Sequence, residues 1–358
     1  MKKLIRLELR KIFSKRLTQL ALAVVLLLSA FLAFSTRQNK YASDGGGNEG
    51  TGRTAVEIDK AIAARYSGIL TDEKVQQMIS EIVPKSGENG LNAIYLYRNT
   101  IQSAVSARFS DINGNWNGLR VSDVFGDESI KIGYVDGWLS TSQNMTRVLV
   151  IFSFFIMMMI APVFCGEYSG VDNIILSSKY GRTKCAAAKV IAGIMASLIT
   201  TAIVLTVNLL MAFVFYGSEG LDCSILFAQL TYIEGGIPFN ITCGTLLAYQ
   251  SVLAITGAIG VTGITLLFSA ACKNQMIALV ASAAVYALPL LIPMAETSAL
   301  FRVVVLLPAY HTQFISLMSV EQISGILLYA VWAVPAALIL IVAGGIFSRR
   351  IFAKHQVL

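Results

Sequence analysis

Charge and histidine are what this sequence has least of. Only 14% of its 358 residues are Asp, Glu, Lys or Arg, against roughly a quarter in an ordinary soluble domain, and only two are histidine. The scarcity is concentrated: uncharged stretches of about 18 residues or more recur, each long enough to cross a hydrocarbon core of about 30 Å as a helix. With 55% of residues hydrophobic and only five cysteines, a disordered polymer, a collagen-like fibre and a secreted disulfide scaffold are excluded.

Missing motifs narrow the chemistry further. There is no Gly-x-x-x-x-Gly-Lys-Ser/Thr phosphate loop, no His-Glu-x-x-His zinc helix and no Gly-x-Ser-x-Gly elbow. His311 and His355 fall in separate segments and share no site. The expectation is a chain with no catalytic residue, no metal ligand and no cofactor-binding residue. The apolar runs at 17–35, 148–164, 190–216, 246–271, 276–294 and 325–347 hold no Asp, Glu, Lys or Arg, Lys189 standing just before the third, whereas ion-coupled transporters need an ionisable group near the midplane. Cys165, Cys185 and Cys272 fall near the cytoplasmic side, where disulfides are disfavoured. Cys223 and Cys243 fall outside, where free thiols are favoured over a pairing that stays open.

What is present is an all-α membrane protein of six transmembrane helices. The apolar runs place them at residues 17–36, 145–165, 186–216, 244–272, 273–294 and 325–348. The first run is too long for a cleaved signal and lacks a small-x-small site. An even number of spans puts both termini on one side, and Lys2, Lys3, Arg6, Arg10, Lys11, Lys15 and Arg16 make that side cytoplasmic. Lys179, Arg182 and Lys184 after the second span, Lys273 where the fourth span gives way to the fifth, and Arg349, Arg350 and Lys354 in the tail at 349–358 agree with it. The loop at 217–243 has Glu219, Asp222 and Glu234 but no Lys or Arg, and belongs outside. The formal charge of +7 is thereby explained by topology, without nucleic acid.

Residues 37–144 are polar and form an extracellular domain, α or α+β, between the first two spans. Helices are expected over 54–66, over 72–82 with Thr71 as N-cap, and over 91–109. Turns and short strands follow to residue 139. In the membrane, Thr200, Asn208, Thr256, Gly257, Gly260 and Gly263 are the pathway or packing candidates: hydroxyls and amides bond between helices, and small residues let backbones approach.

Two cytoplasmic segments are amphipathic. In residues 1–16, Ile5, Leu9, Ile12 and Phe13 share one helical face beside a stripe of Lys3, Arg6 and Arg10, the pattern of a helix lying in the headgroup plane. In residues 166–185, Val171, Ile174, Ile175 and Leu176 form a short apolar face, with Glu167 before it and Lys179 and Arg182 beyond it, an order that suits the helix dipole. This second segment resembles the permeases of type-2 ABC transporters. Glu167, Gly170, the Ile175-Leu176-Ser177 triplet, Gly181-Arg182 and Lys189 match that family's layout after its second span. The resemblance implies a coupling helix, with Gly170 and Gly181 among its residues, seated in a groove of an ATP-hydrolysing subunit. It also implies re-entrant external helices over 295–324. The partners it implies are two ATPase subunits holding ATP and magnesium, and a second permease copy or paralogue. The cargo would be a peptide, antimicrobial or lipid-like substrate moved out across a bacterial plasma membrane. The competing expectation is a membrane-anchored sensor or scaffold whose extracellular domain binds a ligand.

Overall fold

The computed structural model describes residues 1–85, 96–168, 177–178, 180–228, 240–295, 298–312 and 328–354. The chain is mostly helical, and among the described residues five helices are long and apolar enough to cross a membrane. It divides into two units, one of Met1–Ser29, Met145–Val207 and Tyr249–Leu358, the other of Ala30–Asn144 and Asn208–Ala248.

Along the chain run α1 (Lys2–Phe13), α2 (Arg16–Gln38), β1 (Tyr41–Ser43), β2 (Glu49–Thr51), α3 (Arg53–Arg65), β3 (Gly68–Ile69), α4 (Asp72–Glu81), α5 (Thr100–Phe109), α6 (Val121–Phe125) and β4 (Lys131–Ile132). Then come α7 (Asp136–Ile160), α8 (Pro162–Cys165), a π-helical turn at Gly181–Cys185, α9 (Ala186–Tyr216), α10 (Ile225–Ala228), α11 (Cys243–Ala271), α12 (Gln275–Leu291), α13 (Ala299–Val304), α14 (Pro308–Thr312) and α15 (Leu328–Lys354). The expected third span has the boundaries of α9. The expected fifth span is α12, which has only 17 residues and carries Pro289 near its end. The tail expected at 349–358 continues α15 as helix to Lys354.

The first unit is packed on small residues. A Cβ at Gly344 of α15 would fall on the backbone of Gly263 in α11, and one at Gly263 would meet Leu340 and Ile341. Gly260 and Gly257 of the same helix face Pro308 and His311 of α14. Lipid tails are as apolar as leucine, so dispersion between closely approaching backbones replaces the hydrophobic drive. Pro308 opens α14 at its first position, where the missing N–H costs nothing.

The described part of residues 217–243 folds into the same unit as 37–144. Ser224 N donates to the Lys131 carbonyl at 2.8 Å, Trp138 Nε1 to the Glu219 carbonyl at 2.7 Å and Arg108 Nη2 to the Leu226 carbonyl at 3.0 Å. Lys131 and Asp222 form an ion pair. Trp138 is fully buried and meets Phe213 edge-on, ring centroids 5.3 Å apart. Gly220 can turn here because its φ is +78°, and any Cβ would strike the Tyr134 carbonyl.

Of the helix expected over 91–109, residues 91–95 lie outside the described residues, 96–99 are not helical, and α5 begins at Thr100. Asn99 caps it, its side chain accepting from Gln102 N at 2.8 Å, and residues 96–99 precede the helix. Asp59 of α3 accepts from Thr100 N at 3.2 Å and strengthens that stop. Thr71 caps α4 as expected, accepting from Lys74 N. The strands are short antiparallel pairs, Tyr41↔Thr51 to Ser43↔Glu49 and Gly68↔Ile132 with Ile69↔Lys131, so the unit is helical with one small hairpin and one short long-range pairing. All five cysteines are free thiols.

Adding a methyl at the tightest backbone approach of the first unit, Gly344→Ala, is expected to cost about 1–3 kcal/mol through overpacking. Thermal unfolding in detergent reads it, with Gly46→Ala, whose added Cβ meets only ordinary contacts, as the unchanged control.

Candidate functional site

The most unusual group in the first unit is a lysine with no solvent exposure. Lys189, in the first turn of α9, is 0% exposed. Its ammonium directs all three donors at protein: Glu167 Oε1 at 2.6 Å, Glu8 Oε2 at 3.0 Å and the Val163 carbonyl at 3.3 Å. Lys11 of α1 joins the same carboxylates, at 2.8 Å from Glu167 and 3.4 Å from Glu8. Two lysines and two glutamates make the cluster formally neutral, which is what allows a charge to sit in so dry a place.

The sequence dictates this convergence. Glu8 stands three residues after Ile5 and four before Ile12, so it lies on the apolar face of α1. Burying that face buries the carboxylate, and Glu8 and Ile12 are the two buried residues of the helix. Lys3, Arg6 and Arg10 stay exposed on the other side, while Ile5, Leu9 and Phe13 are half-buried. Lys11 is pulled down by burial, but its hydrogen bond to Glu167 and the charges of Glu167 and Glu8 outweigh that, and its pKa is raised. Its cation therefore persists through the whole neutral range.

The segment leaving α8 is fastened on every side. Phe164 N donates to Ser269 Oγ at 2.9 Å and Tyr168 Oη to the Ala270 carbonyl at 2.7 Å, both at the end of α11. The rings of Phe164 and Tyr168 lie 5.2 and 6.1 Å from that of Phe352 in α15. Arg182 donates to the Ala353 carbonyl at 2.7 Å. A groove of about 340 Å³ beside it is lined by Arg182, Thr183, Ile346, Arg349, Arg350 and Ala353. Glu167, Tyr168, Gly181 and Arg182 thus form a hub among α1, α9, α11 and α15. Gly170, Val171, Ile174, Ile175, Leu176 and Lys179 lie outside the described residues. Glu167 Oε2 is buried with no hydrogen-bond partner among the described residues.

Glu8 is the residue that sequence reading missed. Its signal was an acidic side chain on an apolar helical face, paired with a lone lysine just before an apolar run.

The intramembrane polar residues are occupied locally. Thr200 is fully buried and donates to the Ala196 carbonyl at 2.9 Å, and Asn208 is buried in the second unit. Thr256 lies 3.0 Å from His311 Nδ1, and His311 Nε2 lies 3.1 Å from the Leu306 carbonyl. Burial holds His311 far below its ordinary value, at about 4, against a small opposing effect of the Leu306 carbonyl. With the ring neutral, Nε2–H donates to Leu306 and Nδ1 accepts from Thr256. Among the described residues no group of His, Cys, Asp and Glu is arranged to hold a metal ion.

Comparison of the chain with protein-family models, with curated proteins and with solved structures finds no match.

Lys189→Met should destabilise the solubilised protein by about 3–5 kcal/mol, because two buried carboxylates lose their central cation. Adding Glu8→Gln and Glu167→Gln to it should recover much of that loss. Lys11→Met, whose side chain is 54% exposed, should cost less than about 1 kcal/mol. Denaturation midpoints of the variants check the order. The lowered pKa of His311 gives a second test. The unfolded chain binds a proton below pH ~6.5 that the folded one refuses until about 4. Stability should fall with pH across that window, and His311→Gln should remove this part of the dependence in a pH series of melting temperatures.

Proposed function

We propose that the chain is the permease subunit of an ATP-driven exporter of the type-2 ABC class, non-catalytic itself and working with two separate ATPase subunits. The observation that carries this reading is the hub at Glu167. The residues that resemble the family's coupling element are joined to the amphipathic helix α1 and the third span by a buried ion cluster. A partner moving that segment would move α1 and α9 with it, because separating Glu167 from Lys189 strands a buried charge. The groove lined by Arg182, Arg349 and Arg350 supports docking of a partner with an acidic face.

On this reading a second copy of the chain, or a paralogue, completes the pathway, and both termini lie in the cytoplasm of a bacterial cell. Apolar helices whose hydroxyls are internally bonded suit an amphipathic cargo, a peptide or lipid-like antimicrobial compound, better than a sugar or an ion. ATP and magnesium belong to the partner.

The test is gentle purification of the full chain with its native partners, followed by mass spectrometry and an ATPase assay on the same sample. A near-stoichiometric soluble protein with a phosphate-binding loop is expected to co-purify. Arg182→Glu with Arg350→Glu should lower turnover at least tenfold, or release that subunit, while the permease stays folded. Recovery of the chain alone in every mild detergent, without ATPase activity, would count against the proposal.

A further inference from the structure

Within the second unit a cavity of about 480 Å³ opens where α2 and α9 end against α3. Three cations line it, Arg37 from the last turn of α2 and Arg53 and Lys60 from α3, with an apolar wall of Phe213, Val214 and Phe215 from the last turn of α9. Both helices belong to the spanning set, so their ends mark the level of the lipid headgroups.

The cations are unequally satisfied. Arg53 pairs with Glu57 at 2.7 Å in full solvent, and Lys60 with Glu219 at 3.2 Å, where Glu219 is 67% exposed. Arg37 has no carboxylate among the described residues. Its guanidinium stacks over Phe215 at 5.0 Å, and its Nε is buried with no hydrogen-bond partner there. A guanidinium whose charge no carboxylate balances is costly where it is partly buried, and an anion in the cavity that Arg37 lines would balance that charge. The wall beside it is greasy and open, with Val214 74% and Phe213 43% exposed. The cavity therefore joins a phosphate-seeking end to an acyl-seeking end.

We propose that this pocket binds the phosphate headgroup of an anionic phospholipid, with Arg37 and Lys60 on the phosphate and Phe213 and Val214 against an acyl chain. Cations clustered beside a membrane span attract anionic headgroups, and a guanidinium suits phosphate oxygens in particular. The proposal rests on neither the export function nor any partner subunit.

The test uses the purified full chain in detergent, titrated separately with phosphatidylglycerol, phosphatidylcholine and inorganic phosphate. The readouts are melting temperature and the lipid retained in native mass spectrometry. Phosphatidylglycerol is expected to raise the melting temperature saturably and to leave one more tightly held lipid than phosphatidylcholine does. Arg37→Gln with Lys60→Gln should weaken that binding at least tenfold. Val214→Glu, at an exposed position, should repel the phosphate with no change to the core, so a failure of the double variant to fold still leaves a decisive measurement. Equal effects of the two lipids, or phosphatidylglycerol binding unchanged in the variants, would overturn the proposal. So would inorganic phosphate alone reproducing the whole shift, which would assign the pocket to a soluble anion.

Discussion

A lysine ammonium with no water around it can exist only if its surroundings supply the missing solvation, and at Lys189 three acceptors from two stretches of chain do so. Removing such an ion from water costs several kcal/mol even after relaxation. None of the three contributors can therefore drift without returning that cost. The position of α1 follows from this constraint, as do the path of the chain after α8 and the starting point of α9. A surface helix held only by its apolar face could slide along the headgroups. Through Glu8 this one is fixed to an address in the helical bundle.

Elsewhere in the first unit the fixing device is different, because close approach replaces charge. Gly263 and Gly344 bring two backbones together, and Gly257 and Gly260 admit α14 against α11. Ser269 and Ala270, at the end of α11, then receive Phe164 N and Tyr168 Oη. The same helix is thus held by small residues along its length and by hydrogen bonds at its end, which ties the ion cluster to the bundle through directional contacts. A hub built this way transmits displacement well, since its members change partners only in discrete steps.

How much of this was legible in the sequence depends on how local the determinant is. The end of α9 at Tyr216 follows from the apolar run over 190–216, and the Thr71 cap from a hydroxyl before two acidic residues, both readable in a short window. The start of α5 was misplaced because residues near 91–99 have adequate helix propensity, while the stop is set by Asn99 together with Asp59, forty residues away in sequence. α7 begins at Asp136, earlier than its apolar run, since Trp138 and Thr141 are buried and lengthen the helix beyond the lipid-like stretch. The membership of 217–228 in the second unit was unreadable, because it rests on Ser224, Glu219 and Leu226 finding partners beyond residue 100. Glu8 was overlooked for a related reason: periodicity sorts residues into apolar and polar faces, and a buried carboxylate contradicts both classes until its cation is located.

Lys189 and Arg37 show how the same residue class divides between architecture and recognition. Every donor of Lys189 is matched inside the protein, and two glutamates balance two lysines, so its charge is consumed by the fold. Arg37 has an aromatic face on one side and an unmatched N–H on the other. Stacking on Phe215 fixes the plane of the guanidinium without consuming its donors, because the attraction of a cation to a ring uses the face and not the N–H edge. The result is a preorganised but unsatisfied donor set, and preorganisation is what lets a small site bind without a large entropic cost. By that criterion the buried lysine holds the fold together, and the arginine beside the aromatic wall is poised to hold something that is not protein.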